Sequence, residues 1–202
     1  PNTSSKILDN LNLEIPIGST IGIVGESGIG KTTLINIVLG LIEPTKGSIE
    51  VDGVSISENV ENWQKQIGYV PQDTFLTDDT IRKNIAFAIP EGEIDDEIIK
   101  KVIKDSKLDK FVQNLPNNFN TKVGEFGDRL SGGQRQRIAI ARSLYNDPKI
   151  LILDEFTNFL DTSTEKEIIN EVNALKGKKT IIMITHRHST LEKCDKVYKI
   201  DK

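Results

Sequence analysis

The segment Gly25-Glu26-Ser27-Gly28-Ile29-Gly30-Lys31-Thr32 constrains this chain more than any other. Its outer glycines, Gly25 and Gly30, are followed at once by lysine and threonine, which is the spacing of a P-loop. Glycine lets the backbone curl inward so that successive N–H groups face one point, and the helix that follows adds the positive end of its dipole. Such a nest holds phosphate oxygens. Lys31 is then placed to bridge terminal phosphates and the Thr32 hydroxyl to ligate Mg²⁺. The bland alternative is a glycine turn with an accidental Lys-Thr, and the flanks weigh against it. Thr20 to Val24 is short, β-branched and nearly all apolar, as in a central strand covered on both faces. Apolar residues at Leu34, Ile37, Val38 and Leu41 mark a helix beginning near Lys31.

Two further segments carry chemistry. Ile150-Leu151-Ile152-Leu153-Asp154-Glu155 reads as a buried strand with two carboxylates at its carboxyl end, where open α/β sheets bind ligands. Asp154 suits Mg²⁺, directly or through water. Glu155 suits the polarisation of a water attacking a phosphate. Leu130-Ser131-Gly132-Gly133-Gln134 precedes a long helical pattern through Ile138, Ala141, Arg142 and Tyr145. Ser131 is a natural N-cap and the glycines expose the first N–H groups, which makes a second anion-ready helix start.

Between and around these motifs the chain alternates. Leu11, Leu13 and Ile15 alternate with polar residues and predict a half-buried strand; Ser48 to Val51 with the turn pair Asp52-Gly53 predicts a peripheral hairpin. From about Thr80 to Leu115 the segments are charged and helix-periodic, with Asp95 to Lys104 and Lys107 to Gln113 as helices and the acidic run Glu91 to Glu97 opening one. Strand signals return at Lys149 to Leu153 and Thr180 to Thr185, separated by a helix over Thr164 to Leu175. The expected fold is α/β: a P-loop NTPase (RecA-like) core with a parallel sheet, peripheral antiparallel hairpins and an inserted helical subdomain. Residues 1–202 are expected to form one domain, with a core that carries the P-loop over 1–75 and 147–202 and the helical subdomain over 76–146.

Composition narrows the partners. Lys and Arg number 26 against 30 Asp and Glu, a net charge of −4 that argues against a broad nucleic-acid or anionic-membrane footprint. No window reaches the roughly 18 apolar residues of a membrane span, and the N-terminus lacks the layout of a signal peptide. A lone cysteine, Cys194, excludes an intrachain disulfide framework and reads as a partly buried small apolar residue. His188 has no acid or His cluster at ligand spacing. These features describe a soluble, cytosolic α/β domain.

Taken together, Gly25 to Thr32, Ile150 to Asp154 and Leu130 to Gln134 resemble the Walker A, Walker B and signature motifs of an ABC-type ATPase domain, in the family's order and across essentially the whole chain. Gln72 falls at the family's Q-loop position, Asp161 at its D-loop and His186 at its H-loop. The resemblance implies ATP held by Gly25, Glu26, Ser27, Gly28, Ile29, Gly30, Lys31, Thr32, Thr33 and Gln72, with Mg²⁺ at Thr32, Gln72 and Asp154. It assigns catalysis to Glu155, His186 and Lys31. It also implies a head-to-tail dimer, homomeric or heteromeric, in which Ser131, Gly132, Gly133, Gln134 and Asp161 act on the partner's nucleotide. Physically, two anion-binding helix starts and one triphosphate pocket per chain fit that sharing.

Thr121-Lys122-Val123-Gly124-Glu125 is similar to the X-loop of exporters, which contacts the transmembrane domain, and Ser131 to Arg137 with Asp73 after Gln72 agree. The implied protein is an exporter half-transporter at the cytoplasmic face of the inner or plasma membrane, with no nucleic-acid partner. His186 to Thr190 and Cys194 to Tyr198 resemble polysaccharide or lipid-linked oligosaccharide flippases, and peptide exporters share much of that wording. Three departures stand out. The first aromatic residue is Trp63, so an adenine-stacking ring is expected upstream of Pro1; Phe126 replaces the usual Arg; Phe156 and Phe159 replace small residues around the D-loop, where filling a local pocket is the favoured reading. Two other functions compete. A DNA-maintenance ATPase head would need coiled coils that the interval from Gln72 to Ser131 cannot hold. A nucleotide-gated interaction module would dimerise on nucleotide without releasing phosphate.

Overall fold

The computed structural model describes residues 7–201. Its centre is a five-stranded parallel sheet made by β1 (Thr20–Gly25), β4 (Ile67–Val70), β5 (Ile150–Asp154), β6 (Thr180–Ile184) and β7 (Lys196–Ile200), in the order β4-β5-β6-β1-β7. β2 (Glu50–Val51) and β3 (Val54–Ser55) form the expected hairpin, whose turn puts both Asp52 and Gly53 at positive φ. Helix α1 (Lys31–Val38) follows β1, and α2 (Val60–Gln64) precedes β4. Between β4 and β5 lie α3 (Ile81–Ile85), α4 (Asp96–Asp105), α5 (Asp109–Gln113) and α6 (Gly132–Leu144). Then α7 (Thr162–Asn173) joins β5 to β6, and α8 (His188–Leu191) joins β6 to β7. No helix among the described residues is long and apolar enough to cross a membrane.

The two faces of the sheet are sorted by the period-two alternation of its strands. Leu151, Leu153, Ile181 and Met183 point to one side and join Ile138 and Ala141 of α6, Ile168 and Val172 of α7, and the buried residues of α3 to α5. Ile152, Ile182 and Ile184 point to the other side with Ile21 and Ile23, where Leu34 and Ile35 of α1 cover them. Each such fully buried aliphatic side chain contributes about 1.5–3 kcal/mol. The apolar runs are unbroken because both faces are covered. The helices of the 80–144 interval therefore share a core with one face of the sheet.

Two local expectations need correction. Residues Leu11, Leu13 and Ile15 form no strand; they are partly buried against the α1 side of the core. Neighbouring backbone is met by a side chain instead of a ladder: the Glu14 N–H donates to the Tyr198 hydroxyl (3.0 Å), which donates back to the Glu14 carbonyl (2.7 Å). Leu41 lies beyond the end of α1 and is exposed, because Gly40 turns the chain at φ +69°. The acidic run opens α4 as expected: after a 3₁₀ turn at Glu91–Glu93, Asp95 caps the helix by accepting from the N–H groups of Glu97 and Ile98, and Asp96 and Glu97 lie in its first turn. Trp63 is buried, its Nε1 donating to the Val38 carbonyl at 2.7 Å, so it serves the fold.

Candidate active site

The loop after β1 builds an anion receptor from backbone. Gly28 and Gly30 sit at φ +78° and +114°, a region L side chains avoid, and a Cβ on Gly30 would lie 2.8 Å from Ile7 Cγ2. Helix α1 begins at Lys31 with no side-chain cap and no acidic residue in its first turn. Its leading N–H groups and dipole are thus left for an external anion. Lys31 is buried and crosses the loop, Nζ donating to the carbonyls of Gly25 (2.9 Å) and Glu26 (3.0 Å). Thr32 and Thr33 occupy the first turn of α1, while Glu26, Ser27 and Gly28 are exposed on the loop and Ile29 anchors it in the core.

Asp154 ends β5 and Glu155 follows it at φ +43°, an unusual conformation for a glutamate that turns the chain sharply off the sheet. The turn brings the carboxylate back to the loop. Glu155 Oε1 lies 3.9 Å from Lys31 Nζ and 3.0 Å from His186 Nε2, and Oε2 accepts from Asn158 Nδ2 at 2.6 Å. His186 stands just past β6, beside Glu155 because β5 and β6 pair Asp154 with Ile184. Asp154 accepts from the Tyr69 hydroxyl (3.4 Å). Burial, then the neighbouring Glu155 charge, holds the Asp154 carboxyl above its ordinary 3.8. Burial and Asp154 push Tyr69 up to about 12, so it stays a neutral donor.

The residues present fit Mg²⁺. Thr32, Asp154 and Gln72 offer hard oxygen atoms, and a desolvated Asp154 with one weak donor gains from a cation. Among the described residues no group of three or more His, Cys, Asp or Glu side chains is arranged to hold a metal ion by itself.

The second helix start is built differently. Ser131 and Gln134 form a capping box on α6: the Gln134 N–H donates to Ser131 Oγ (3.3 Å) and the Ser131 N–H to Gln134 Oε1 (2.9 Å). Gly132 and Gly133 let α6 approach the loop before α7 and the first turn of α7, since a Cβ on Gly133 would lie 2.6 Å from Thr164 Cγ2. Asp161 caps α7, accepting from the N–H groups of Ser163 and Thr164, each at 3.0 Å. These bonds, led by the Ser163 hydroxyl, hold its carboxyl far below the ordinary range. Lys31, Asp154, Glu155 and His186 thus gather at one place, and Ser131 to Gln134 and Asp161 gather at another. Among the described residues no hydrogen bond or ion pair joins the two groups. Gln72 is exposed just after β4, and the Phe75 carbonyl beyond it accepts from Arg142 of α6 at 2.9 Å.

Phe156 and Phe159 separate. Phe156 is 2% exposed within the core and fills a pocket as expected, whereas Phe159 is 75% exposed, which corrects the pocket reading for that ring. Sequence reading overlooked Tyr69 and Asn158. Tyr69 lies three residues before Gln72 and next to Val70, whose pairing with Leu153 sets the end of β4 against Asp154. Asn158 lies three residues after Glu155 and three before Asp161, and that spacing is a usable signal.

The chain is similar to known proteins along nearly its whole length. The sequence profile described as ABC transporter matches residues 8–158. An ATP-dependent lipid A-core flippase of Cupriavidus pinatubonensis is 41% identical over 196 residues, covering 96% of this chain and 33% of the relative. A multidrug resistance ABC transporter ATP-binding and permease protein of Lactococcus lactis is 40% identical over 200 residues, covering 98% and 34%. A bacterial Atm1-family ABC exporter solved with ATP bound superposes at a TM-score of 0.87 with 36% identity, covering 99% of this chain and 35% of that one. The chain spans about a third of the length of these relatives. With the family profile matched over residues 8–158 and relatives at 40% identity or more along nearly its whole length, the chain belongs to the ABC transporter family, as an ATPase domain similar to those of exporters.

Proposed function

We propose that this domain hydrolyses MgATP between two head-to-tail copies, or between itself and a related partner, and that the cycle drives export through a membrane domain. One observation carries the chemical part: Glu155 is drawn back over the P-loop and held by Lys31, His186 and Asn158. In this reading Gly25 to Thr33 cradle the triphosphate through backbone N–H groups, and Lys31 exchanges its loop carbonyls for phosphate oxygens. Thr32, Gln72 and Asp154 hold Mg²⁺, which supplies charge neutralisation on the phosphates. Glu155 polarises the attacking water, and His186 steadies it from Oε1. Ser131, Gly132, Gly133, Gln134 and Asp161 complete the partner's site, where exclusion of water strengthens each electrostatic contact.

The same reading divides the chain into an ATP-binding core over 1–75 and 147–202 and a helical arm over 76–146. It places the domain on the cytoplasmic side of the membrane. The surface beside Gln72 supports a membrane-domain contact there: Phe75 and Phe126 are exposed, with ring centroids 5.8 Å apart in an edge-to-face pair. Glu155→Gln tests the chemistry. Phosphate release is expected to fall by about 10²–10⁴-fold, as for loss of a general base, while ATP now stabilises a dimer. Unchanged turnover would remove Glu155 from this role. A nucleotide-gated module without hydrolysis would instead show ATP-dependent dimers and no phosphate release in the unaltered protein.

A further inference from the structure

The contacts of Glu155 continue beyond the P-loop. Asn158 donates from Nδ2 to Glu155 Oε2 at 2.6 Å, and its own N–H donates to the Glu155 carbonyl at 3.1 Å. Asn158 is in turn held from behind: its carbonyl accepts from Arg187 Nη2 at 3.1 Å. The other branch of that guanidinium, Nη1, is paired with Glu165 Oε2. Glu165 is 3% exposed, in the first turn of α7, and its remaining oxygen accepts from the Ser189 hydroxyl at 3.0 Å. A carboxylate this deeply buried is tolerable only when paired and hydrogen-bonded, so Arg187 is fixed in place and its fork fixes Asn158.

From this chain of contacts we infer that Asn158 is a positioning residue for Glu155, buttressed by Arg187 and Glu165, which ties the aim of the glutamate to the loop leading into α7. The inference rests on the reading of Glu155 given above. The two ends of the carboxylate are treated differently. Oε1 faces the reaction side, with Lys31 and His186. Oε2 is pinned by a neutral amide, which fixes direction without adding charge. The remaining charged group near it is Asp154, whose carboxyl feels the Glu155 charge. Because Glu155 already sits at positive φ, its backbone gives it little freedom to recover a lost side-chain restraint. Asn158 also lies three residues before Asp161, the cap of α7, so a shift of this loop reaches Oε2 directly.

The test is steady-state ATP hydrolysis by the complete protein with Asn158→Ala and the near-isosteric Asn158→Asp. With Asn158→Ala, kcat should fall about ten-fold or more, the cost of losing a hydrogen bond to an ionised group, while KM for ATP and the melting temperature stay close to the parent's. Asn158→Asp keeps the shape but replaces the amide donor with a carboxylate that repels Oε2, so kcat should fall at least as far as with Asn158→Ala, again at nearly unchanged KM and melting temperature. A merely structural asparagine would tolerate this isostere and keep its turnover. If Asn158→Ala keeps kcat within about two-fold while a single hydrogen-bond loss predicts ten, or if Asn158→Asp turns over like the parent, the inference is wrong. Glu155→Gln separates the two failures. Loss of turnover there with no effect at Asn158 refutes the positioning role alone; retained turnover there refutes the underlying reading of the base.

Discussion

Helices α1 and α6 both start with glycine-rich turns, yet their first N–H groups are treated in opposite ways. The start of α1 is bare: Gly30 offers no side chain, and no acid enters the first turn. The start of α6 is satisfied from within by Ser131 and Gln134, and α7 beside it is capped by Asp161. In the proposed reading, the α1 start meets its anion in the same subunit and can stay open, with Lys31 folded across the loop as a provisional partner. The α6 start would meet its anion only when a partner brings it, and a capping box lets it stay formed meanwhile. The hydroxyl of Ser131, which accepts from the backbone, still has its proton to donate.

That contrast can be broken at each start. The largest effect belongs to α1. Lys31→Ala should lower ATP affinity by about a hundred-fold, as charge-assisted bonds to phosphate are lost, measurable by calorimetry on the single domain. Gly30→Ala should fail similarly because φ +114° and the contact with Ile7 leave no place for a Cβ. At α6 the same assays should divide. Gly133→Ala forces Thr164 away at 2.6 Å and should abolish turnover, yet leave ATP binding to the isolated chain intact; Gly132→Ala, with Leu160 Cδ2 at 3.4 Å, should be much milder. Ser131→Ala should lose about 1 kcal/mol of stability with its cap and lower turnover at unchanged ATP affinity, whereas Ser131→Thr restores the stability. If Ser131→Ala weakens ATP binding in the single domain, the division between the two starts is wrong.

The smallest effect lies at α7 and is read from pH. Asp161 has its carboxyl depressed from the ordinary 3.8, so its contribution to folding is present above about pH 4 and is lost as the pH falls through the folded-state value. Asp161→Asn should therefore be slightly less stable than the parent at neutral pH, with the gap closing in acid unfolding curves below about pH 4. A gap that persists unchanged in acid would show that the charge of Asp161 does not matter to the cap.

The two phenylalanines of the D-loop show how far reading by sequence can go. Both replace small residues, and nothing in their spacing distinguishes them. The turn at Glu155 carries Phe156 into the core on the α6 and α7 side of the sheet, while Phe159 is carried out to solvent three residues later. Phe156→Ala should accordingly cost about 3–5 kcal/mol and Phe159→Ala about 0.5 or less. The supposed strand over Leu11 to Ile15 failed for a related reason. Alternation records which side chains face the core, and a partner for the backbone is a separate matter, here supplied by Tyr198 from the far end of the chain.

What the sequence determined by itself is everything that depends on contiguous residues: the glycine loop and its lysine, the capping box on α6, the apolar strands ending in Asp154-Glu155, the histidine after β6. Each is a local steric or hydrogen-bonding rule written within a few positions. Only the tertiary structure decided which of these groups meet. The parallel pairing of β5 with β6 sets His186 beside Glu155, the turn at Glu155 brings Lys31 within 3.9 Å, and the burial of Glu165 draws Arg187 behind Asn158. Those contacts join residues 22 to 124 positions apart along the chain, and they exist because a sheet covered on both faces leaves its strand ends one shared edge at which to place polar chemistry.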